Sequence, residues 1–338
     1  MRNKVIFYSS VKSKELFHIQ RFYHIDIELI KRLGYCVYES NRIFDFLCFW
    51  KYNIAFIYFY KFGLFPAIMA RFFLKKIYFT GGIDSLEESI SVGKDYVLQK
   101  IFFKLCYLLS NNCILVSKSD ENNVRKIYNG KLPKRACLSF HTIEVERFVN
   151  AELSKKQNIF LTIAWMESVG NVYRKGIDKA LIVFKYLTEK KEYSEAKFYL
   201  IGKEGEGSDY LRKLCVDLKI SEKVIFTGSI DEELKIEMLK LSKYYFQLST
   251  YEGFGIAAIE ALAAKNIVIH SGNGALSETI NDYGIMVDIE SDIDQLVNYI
   301  YEQLSNYNYK QLDIAQKHVQ DNYSNIRRQK DFEKIFKN

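Results

Sequence analysis

The sequence predicts an α/β protein of two domains, each a parallel sheet covered by helices on both faces. Three observations predict it. Short β-rich runs alternate with amphipathic helical stretches along the chain. That alternation occurs twice over 338 residues, too many for one ordinary core. A polar stretch at 149–157, with Asn150, Glu152, Ser154, Lys155, Lys156 and Gln157, separates the halves. Alternation of this kind gives parallel sheets with both faces buried. Each half therefore reads as a Rossmann-like domain, the first over 1–150 and the second over 151–322.

In the first half the strand candidates are 5–10, 36–40, 54–60, 77–80, 113–117 and 136–140, with helical patterns such as 22–33 and 97–109. In the second they are 159–165, 197–201, 223–226, 245–248, 266–270 and 285–287. Helical patterns at 176–187, 210–218, 232–241 and 256–264 follow most of these. In open α/β sheets ligands gather beyond the carboxyl ends of the strands, so function is expected in the loops that follow strands. Two such domains facing each other across a cleft make that cleft the default site.

Composition excludes several classes. With 49% hydrophobic and 26% charged residues the chain is globular, not disordered. The apolar start, Met1 to Tyr8, ends at Ser9-Ser10, short of a signal peptide. The apolar region 44–73 is broken by Asp45, Lys51, Asn53, Lys61 and Arg71, too often for a spanning helix. A cytoplasmic protein is expected. Six cysteines without a C-x-x-C pair read as buried reduced thiols, and five histidines without ligand spacing predict no structural metal. Charge is uneven: residues 1–150 hold 23 Lys+Arg and 13 Asp+Glu, a net of +10 within the overall +7. Such a half either meets an anionic partner (a membrane surface, a lipid phosphate or a nucleic acid) or presents a solvated lysine-rich surface. The segment 64–76 mixes Phe65, Ile68 and Phe72 with Arg71, Lys75 and Lys76, which fits either an interfacial helix or a core helix with a basic end.

The chemistry concentrates after the strand at 245–248. Ser249-Thr250-Tyr251-Glu252-Gly253-Phe254-Gly255-Ile256 leads a glycine-containing turn into a helix. Glycines let backbone approach a ligand, and the free N–H groups around Phe254–Ala257 form an anion site at the helix's positive end. Glu252 is placed to accept hydrogen bonds from sugar hydroxyls. Glu260, on the helix, is placed to grip a ribose diol. Ser249-x-x-Glu252 also fits a capping box, although Gly253 and Gly255 argue against helix there. Arg174 and Lys175 precede a helix starting at Gly176, where cations hold a diphosphate.

Here the sequence resembles the retaining glycosyltransferases of family four, the group 1 glycosyl transferases of the GT-B fold. Glu252, seven residues, then Glu260, with Gly253-Phe254-Gly255 and Glu260-Ala261-Leu262-Ala263, is similar to their E-x7-E signature. Ala164-Trp165-Met166, Arg174-Lys175-Gly176-Ile177-Asp178, Leu200-Ile201-Gly202, Val224-Ile225-Phe226-Thr227-Gly228 and Gly274-Ala275-Leu276-Ser277-Glu278 follow the same order. The resemblance implies a GT-B architecture whose last helix, within 323–338, crosses back to the first domain. It implies Glu252, Lys175 and Arg174 as catalytic residues. It implies Gly253, Phe254, Gly255, Ile256, Glu260, Gly202, Gly228, Ile230 and Glu278 around the nucleotide sugar, Gly228-Ser229-Ile230 bordering the base. Relatives often carry an arginine where Trp165 stands, and a histidine near the fourth strand where this chain has Thr80-Gly81-Gly82-Ile83-Asp84.

The implied function is retaining transfer of a sugar from a UDP- or GDP-linked donor to a glycan or lipid-linked acceptor. No metal or other cofactor and no nucleic acid take part. The setting is bacterial surface polysaccharide synthesis, such as lipopolysaccharide or capsule, with the protein cytoplasmic and peripheral to the inner face of the membrane. A sugar-nucleotide epimerase or hydrolase, or a non-catalytic glycan-assembly protein, would use the same scaffold. A dehydrogenase is not expected, since no G-x-G-x-x-G follows the first strand.

Overall fold

The computed structural model describes residues 4–337. Met1–Asn3, part of the apolar start discussed above, and Asn338 lie outside the described residues. The chain forms two compact units, Met1–Ile143 with Tyr323–Asn338, and Glu144–Asn322. The division falls ahead of the polar stretch at 149–157, because that stretch is tied to the second unit. Arg147 pairs with Glu232, and the Lys156 ammonium donates to the carbonyls of Leu239 (2.9 Å) and Ser242 (2.7 Å).

The first unit holds a parallel sheet in the order β2-β1-β3-β4-β5-β6. Its strands are β1 (Lys4–Tyr8), β2 (Cys36–Ser40), β3 (Ile54–Tyr58), β4 (Lys76–Thr80), β5 (Asn112–Leu115) and β6 (Ala136–Leu138). Central β3 is buried at every position, as expected for an apolar run covered on both faces. Alternate residues serve opposite cores: Ile6, Ala55 and Ile57 pack on one side, Val5, Phe7 and Phe56 on the other. Helices α1 (Leu16–Ile19), α2 (Arg21–Arg32), α3 (Tyr60–Phe72), α4 (Lys94–Leu109) and α5 (Lys118–Ile127) complete its layers.

Three expectations need correction here. The segment 64–76 is not one helix, and β3 stops at Tyr58 instead of residue 60. Helix α3 starts at Tyr60 and ends at Phe72, then Leu74 takes a left-handed conformation (φ 55°). The Lys75 N–H reaches back to the Ala70 carbonyl at 3.0 Å, closing the helix so that β4 begins at Lys76. Of the six cysteines, all free, Cys106, Cys113 and Cys215 are buried but Cys36 is exposed, since β2 is an edge strand.

The second unit orders its parallel sheet β12-β11-β10-β7-β8-β9. The strands are β7 (Gln157–Ile163), β8 (Lys197–Ile201), β9 (Val224–Gly228), β10 (Ser242–Gln247), β11 (Ile267–His270) and β12 (Ile285–Met286). Its helices are α6 (Val169–Lys175), α7 (Ile177–Leu187), α8 (Glu206–Asp217), α9 (Glu232–Leu241), α10 (Ile256–Ala263), α11 (Leu276–Thr279), α12 (Ile293–Ser305) and α13 (Lys310–Tyr323). From β7 the chain builds outward through β8 and β9, then returns to start the other half at β10. The switch point therefore lies between the carboxyl ends of β7 and β10, where such sheets bind ligands.

The last helix, α14 (Asn325–Lys337), belongs to the first unit, where Phe332 and Phe336 join the core beside Phe56. Arg328 on it is fully buried. Its guanidinium forks onto the Asp26 carboxylate of α2 at 2.5 and 2.8 Å and caps the carbonyls of Ser139 (2.6 Å) and Phe140 (2.8 Å). The Tyr58 hydroxyl also donates to Asp26. Burial alone would lower the Arg328 pKa, but Asp26 outweighs it and the net shift is upward.

Candidate functional site

The loops at the β7/β10 switch point carry the side chains that the sequence singled out. After β7, Trp165 is about half exposed. Ser168 then caps α6, its hydroxyl accepting the Asn171 N–H at 3.2 Å. Arg174 and Lys175 occupy the last turn of α6, a short helix that periodicity did not indicate, where the helix dipole favours cations. Gly176 turns the chain into α7 with φ 62°. A Cβ there would lie 2.0 Å from the Leu248 carbonyl oxygen, so only glycine lets this corner touch the end of β10. The Arg174 carbonyl accepts the Thr250 N–H at 2.9 Å, fixing the contact.

This contact brings Lys175 to Glu252. The ammonium donates to Glu252 Oε2 at 2.7 Å, with side chains 19% and 12% exposed. The same oxygen accepts Gln247 Nε2 (2.9 Å) and the Ser249 hydroxyl (3.2 Å). Behind them the Tyr245 hydroxyl donates to Gln247 Oε1 at 3.2 Å and accepts the Ile163 N–H at 3.3 Å. Ser249 thus serves the Glu252 side chain, not a capping box, since α10 starts only at Ile256. Glu252 is braced from the other side by the loop after β11. Its carbonyl accepts the Ala275 N–H at 2.8 Å, and a Cβ on Gly274 (φ 63°) would lie 2.3 Å from that carbonyl oxygen. With Oε2 saturated by three donors, Oε1 is the oxygen left to face a ligand.

Gly255, with φ 86°, caps α10. The first hydrogen bond of that helix runs from the Ile259 N–H to the Gly255 carbonyl at 3.0 Å. The N–H groups of Ile256, Ala257 and Ala258 precede it and have no carbonyl within the helix to receive them. Gly253 and Phe254 are buried beside them, so they line this end through backbone. Three open N–H groups at the positive end of a helix, close in sequence to the Glu252 that binds Lys175, make an anion cradle. The half-buried Arg174 side chain shares the last turn of α6 with Lys175 and makes no ion pair among the described residues.

Glu260 has a partner that sequence spacing did not indicate. Lys235 of α9 reaches both its carboxylate oxygens, at 2.9 Å each, and Glu232 at 3.0 Å. Burial lowers the Lys235 pKa, but the two carboxylates overcome this and raise it overall, so the lysine stays charged. A ribose that binds Glu260 must therefore share it with Lys235. Lys235 lies four residues before buried Leu239 and beside buried Ile236, on the inward side of α9, a placement that only the fold reveals.

The remaining residues border the same strand ends. Gly202 (φ 146°) donates its N–H to the Gly228 carbonyl at 3.0 Å, and a Cβ there would lie 1.9 Å from the Ala164 carbonyl oxygen. Its glycine is required by a neighbouring strand end. Gly228 (φ 67°) opens the loop through half-buried Ile230 to Asp231, whose carboxylate caps α9 by accepting the Leu234 N–H at 2.8 Å. Glu278 is half-buried on the four-residue α11 that follows Gly274. In the first unit His141 is buried against Phe22 and Tyr58, and burial keeps it neutral by lowering its pKa well below the usual value. Gly81 (φ 105°) packs against the Phe59 ring and Asp84 starts a single 3-10 turn.

The second unit has the doubly wound strand order of Rossmann-like sheets, whose ligands gather at the switch point where this anion cradle lies. Residues 144–319 match the family described as glycosyl transferases group 1, and the chain belongs to that family. It is 30% identical over 169 residues to an uncharacterised glycosyltransferase of Methanocaldococcus jannaschii, covering 49% of this chain and 40% of that protein. It is 26% identical over 206 residues to the O-antigen chain mannosyltransferase RfbU of Salmonella typhimurium, covering 59% of this chain and 54% of the other. The chain thus spans about half the length, or less, of these curated relatives. The crystal structure of Anabaena HepE in complex with UDP and glucose superposes with a TM-score of 0.77, covering 99% of this chain and 100% of that one at 13% identity. That likeness shows the GT-B fold: two Rossmann-like domains with the last helix returned to the first.

Proposed function

We propose that this chain transfers a sugar, with retention at the anomeric carbon, from a nucleoside diphosphate sugar to a glycan or lipid-linked glycan acceptor. The observation that carries the reading is the convergence of the Lys175 ammonium, the Glu252 carboxylate and the open N–H groups of α10 at the switch point of the second unit. Lys175, Arg174 and those N–H groups bind the diphosphate and stabilise the charge it gains as the glycosidic bond breaks. Glu252 Oε1 accepts a hydroxyl of the sugar. Glu260 and Lys235 together hold the ribose, and the Gly228–Ile230 loop borders the base, with Glu278 on the donor side. The acceptor hydroxyl attacks the face that the phosphate leaves, and the departing phosphate takes its proton. Fixed protein cations carry the charge, so the reaction is expected to proceed in EDTA.

The donor base is uracil or guanine; the UDP held by the structurally similar HepE supports uracil. Bacterial surface polysaccharide synthesis at the inner membrane face is supported by similarity to an O-antigen mannosyltransferase. The test is a thermal-shift panel of UDP- and GDP-sugars, followed by transfer assays with lipid-linked acceptors. A stabilising nucleotide sugar should bind Glu260→Ala about tenfold more weakly, as loss of a charged hydrogen bond predicts. Unchanged affinity in calorimetry would remove Glu260 from the site, and no stabilisation by any nucleotide would sink the reading.

A further inference from the structure

One face of the first unit is apolar where solvent should make it polar. Helix α3 presents Phe62, Phe65, Ile68 and Phe72 at helical spacing, each between 47% and 80% exposed. Its opposite side buries Gly63, Pro66, Ala67 and Ala70 in the core, Gly63 so tightly that a Cβ would lie 2.5 Å from the Phe79 ring. A helix apolar on both sides is ordinarily covered on both. On one side α3 packs against α4, which turns Leu98, Ile101, Leu105 and Leu108 outward. On the other it packs against the 3-10 turn Ile43–Leu47; there and in the adjacent turn Phe49–Lys51, Phe44 and Trp50 stand exposed. Single exposed apolar residues are common, but a contiguous set over three neighbouring elements marks an interaction surface.

The charge around it has one sign. Over residues 43–51, 60–76 and 94–109, lysines and arginines outnumber acidic residues eight to two. Both acids are engaged within the unit: Asp45 accepts the Ser40 hydroxyl at 2.7 Å, and Asp95 accepts Gln99 Nε2 at 3.2 Å. Lys61, Lys94 and Lys104 are exposed at the margins of the apolar face. A second copy of this chain would bring like charges together. We propose that this face seats the chain on a bilayer containing anionic lipid, its aromatic and aliphatic side chains entering the headgroup–acyl boundary and its lysines pairing with headgroups. Among the described residues no helix is long and apolar enough to cross a membrane. Docking from one side needs none, and it does not depend on the donor-site reading.

The full chain should sediment with phosphatidylcholine vesicles that contain phosphatidylglycerol, much less with phosphatidylcholine alone, and less again as salt screens the charges. Phe65→Ser with Phe72→Ser should lower partitioning at least about tenfold, from the apolar area withdrawn. Lys61→Glu with Lys94→Glu should do as much, at about fivefold per charge lost. Because these side chains are exposed, melting temperatures should stay at the wild-type value, which excludes misfolding. The chain has two tryptophans, so Trp165→Phe leaves Trp50 as a reporter whose emission should shift blue on anionic vesicles. No sedimentation with the mixed vesicles, equal binding to neutral ones, or a concentration-dependent dimer abolished by the Phe65/Phe72 changes would each overturn the proposal.

Discussion

The two units share a layered design and differ in what they do with buried charge. In the first, Asp26 and Arg328 are 1% and 0% exposed, and tyrosine and carbonyl partners complete their hydrogen bonds. In the second, Lys175 with Glu252 and Lys235 with Glu260 lie beside the loops at the switch point, with side chains 5–19% exposed. A wholly buried pair cannot exchange partners and can only hold elements together. A pair with one edge open can trade part of its bonding for a ligand. The contrast separates a staple from a site, although each pair joins residues distant in sequence.

Breaking the staple should have the largest effect. Arg328→Met leaves Asp26 charged and unmatched in the core, at a cost of about 3–5 kcal/mol measured by denaturant unfolding. The double change Asp26→Leu with Arg328→Met should recover much of that loss, and nucleotide affinity should not follow either variant. If Arg328→Met unfolds like wild type, the pair does not hold α14. Breaking the site should act on rate instead: Lys175→Ala is expected to cut turnover about 100- to 1000-fold, some 3–4 kcal/mol of transition-state stabilisation, with little change in melting temperature. Near-normal turnover would take Lys175 out of the mechanism.

A smaller effect tests the scaffold behind Glu252. His270, fully buried at the end of β11, accepts the Gly272 N–H on Nδ1 at 3.2 Å, while Nε2 lies 3.1 Å from the Asn281 carbonyl and donates to it. This pattern requires a neutral ring, and burial brings its pKa down to about 4. The unfolded chain, with a histidine pKa of about 6.5, binds the extra proton first, so the stabilisation present above that pH is lost as pH falls towards 4. The loss should approach about 3 kcal/mol, read as a falling free energy of unfolding between those pH values. His270→Gln should flatten that part of the profile, and an unchanged slope would show that another group titrates there.

The fold was largely legible because its signals are local. β2, β8 and α9 coincide with their sequence patterns, and the other strands differ from theirs only at the ends. Their hydrophobic runs are short, apolar and set off by turns, which is how covered parallel strands read. Strand ends were less clear where apolar residues continue past the last ladder bond, as at Phe59 and Tyr60, which leave β3 for α3. Helix α6 escaped notice because it is seven residues long and buries only Val172.

Within the site, Glu252, Glu260, Lys175 and the glycines were visible as a spaced motif. Gln247 and Lys235 were not, since a glutamine in a strand and a lysine in a helix acquire meaning only through the partner across the fold. Sequence by itself determined the two sheets, the glycine turn into α10 and the basic excess of the first half, because each follows from neighbouring residues or from simple composition. Tertiary structure decided that Lys235 shares Glu260, that three donors fix one oxygen of Glu252, and that Asp26 meets Arg328 across 302 residues of chain. It also decided that one apolar face each of α3 and α4, with Phe62, Phe65, Ile68 and Phe72 on α3 and Leu98, Ile101, Leu105 and Leu108 on α4, lies outside the core. Contacts of that kind depend on loop closure and packing, which no local pattern encodes.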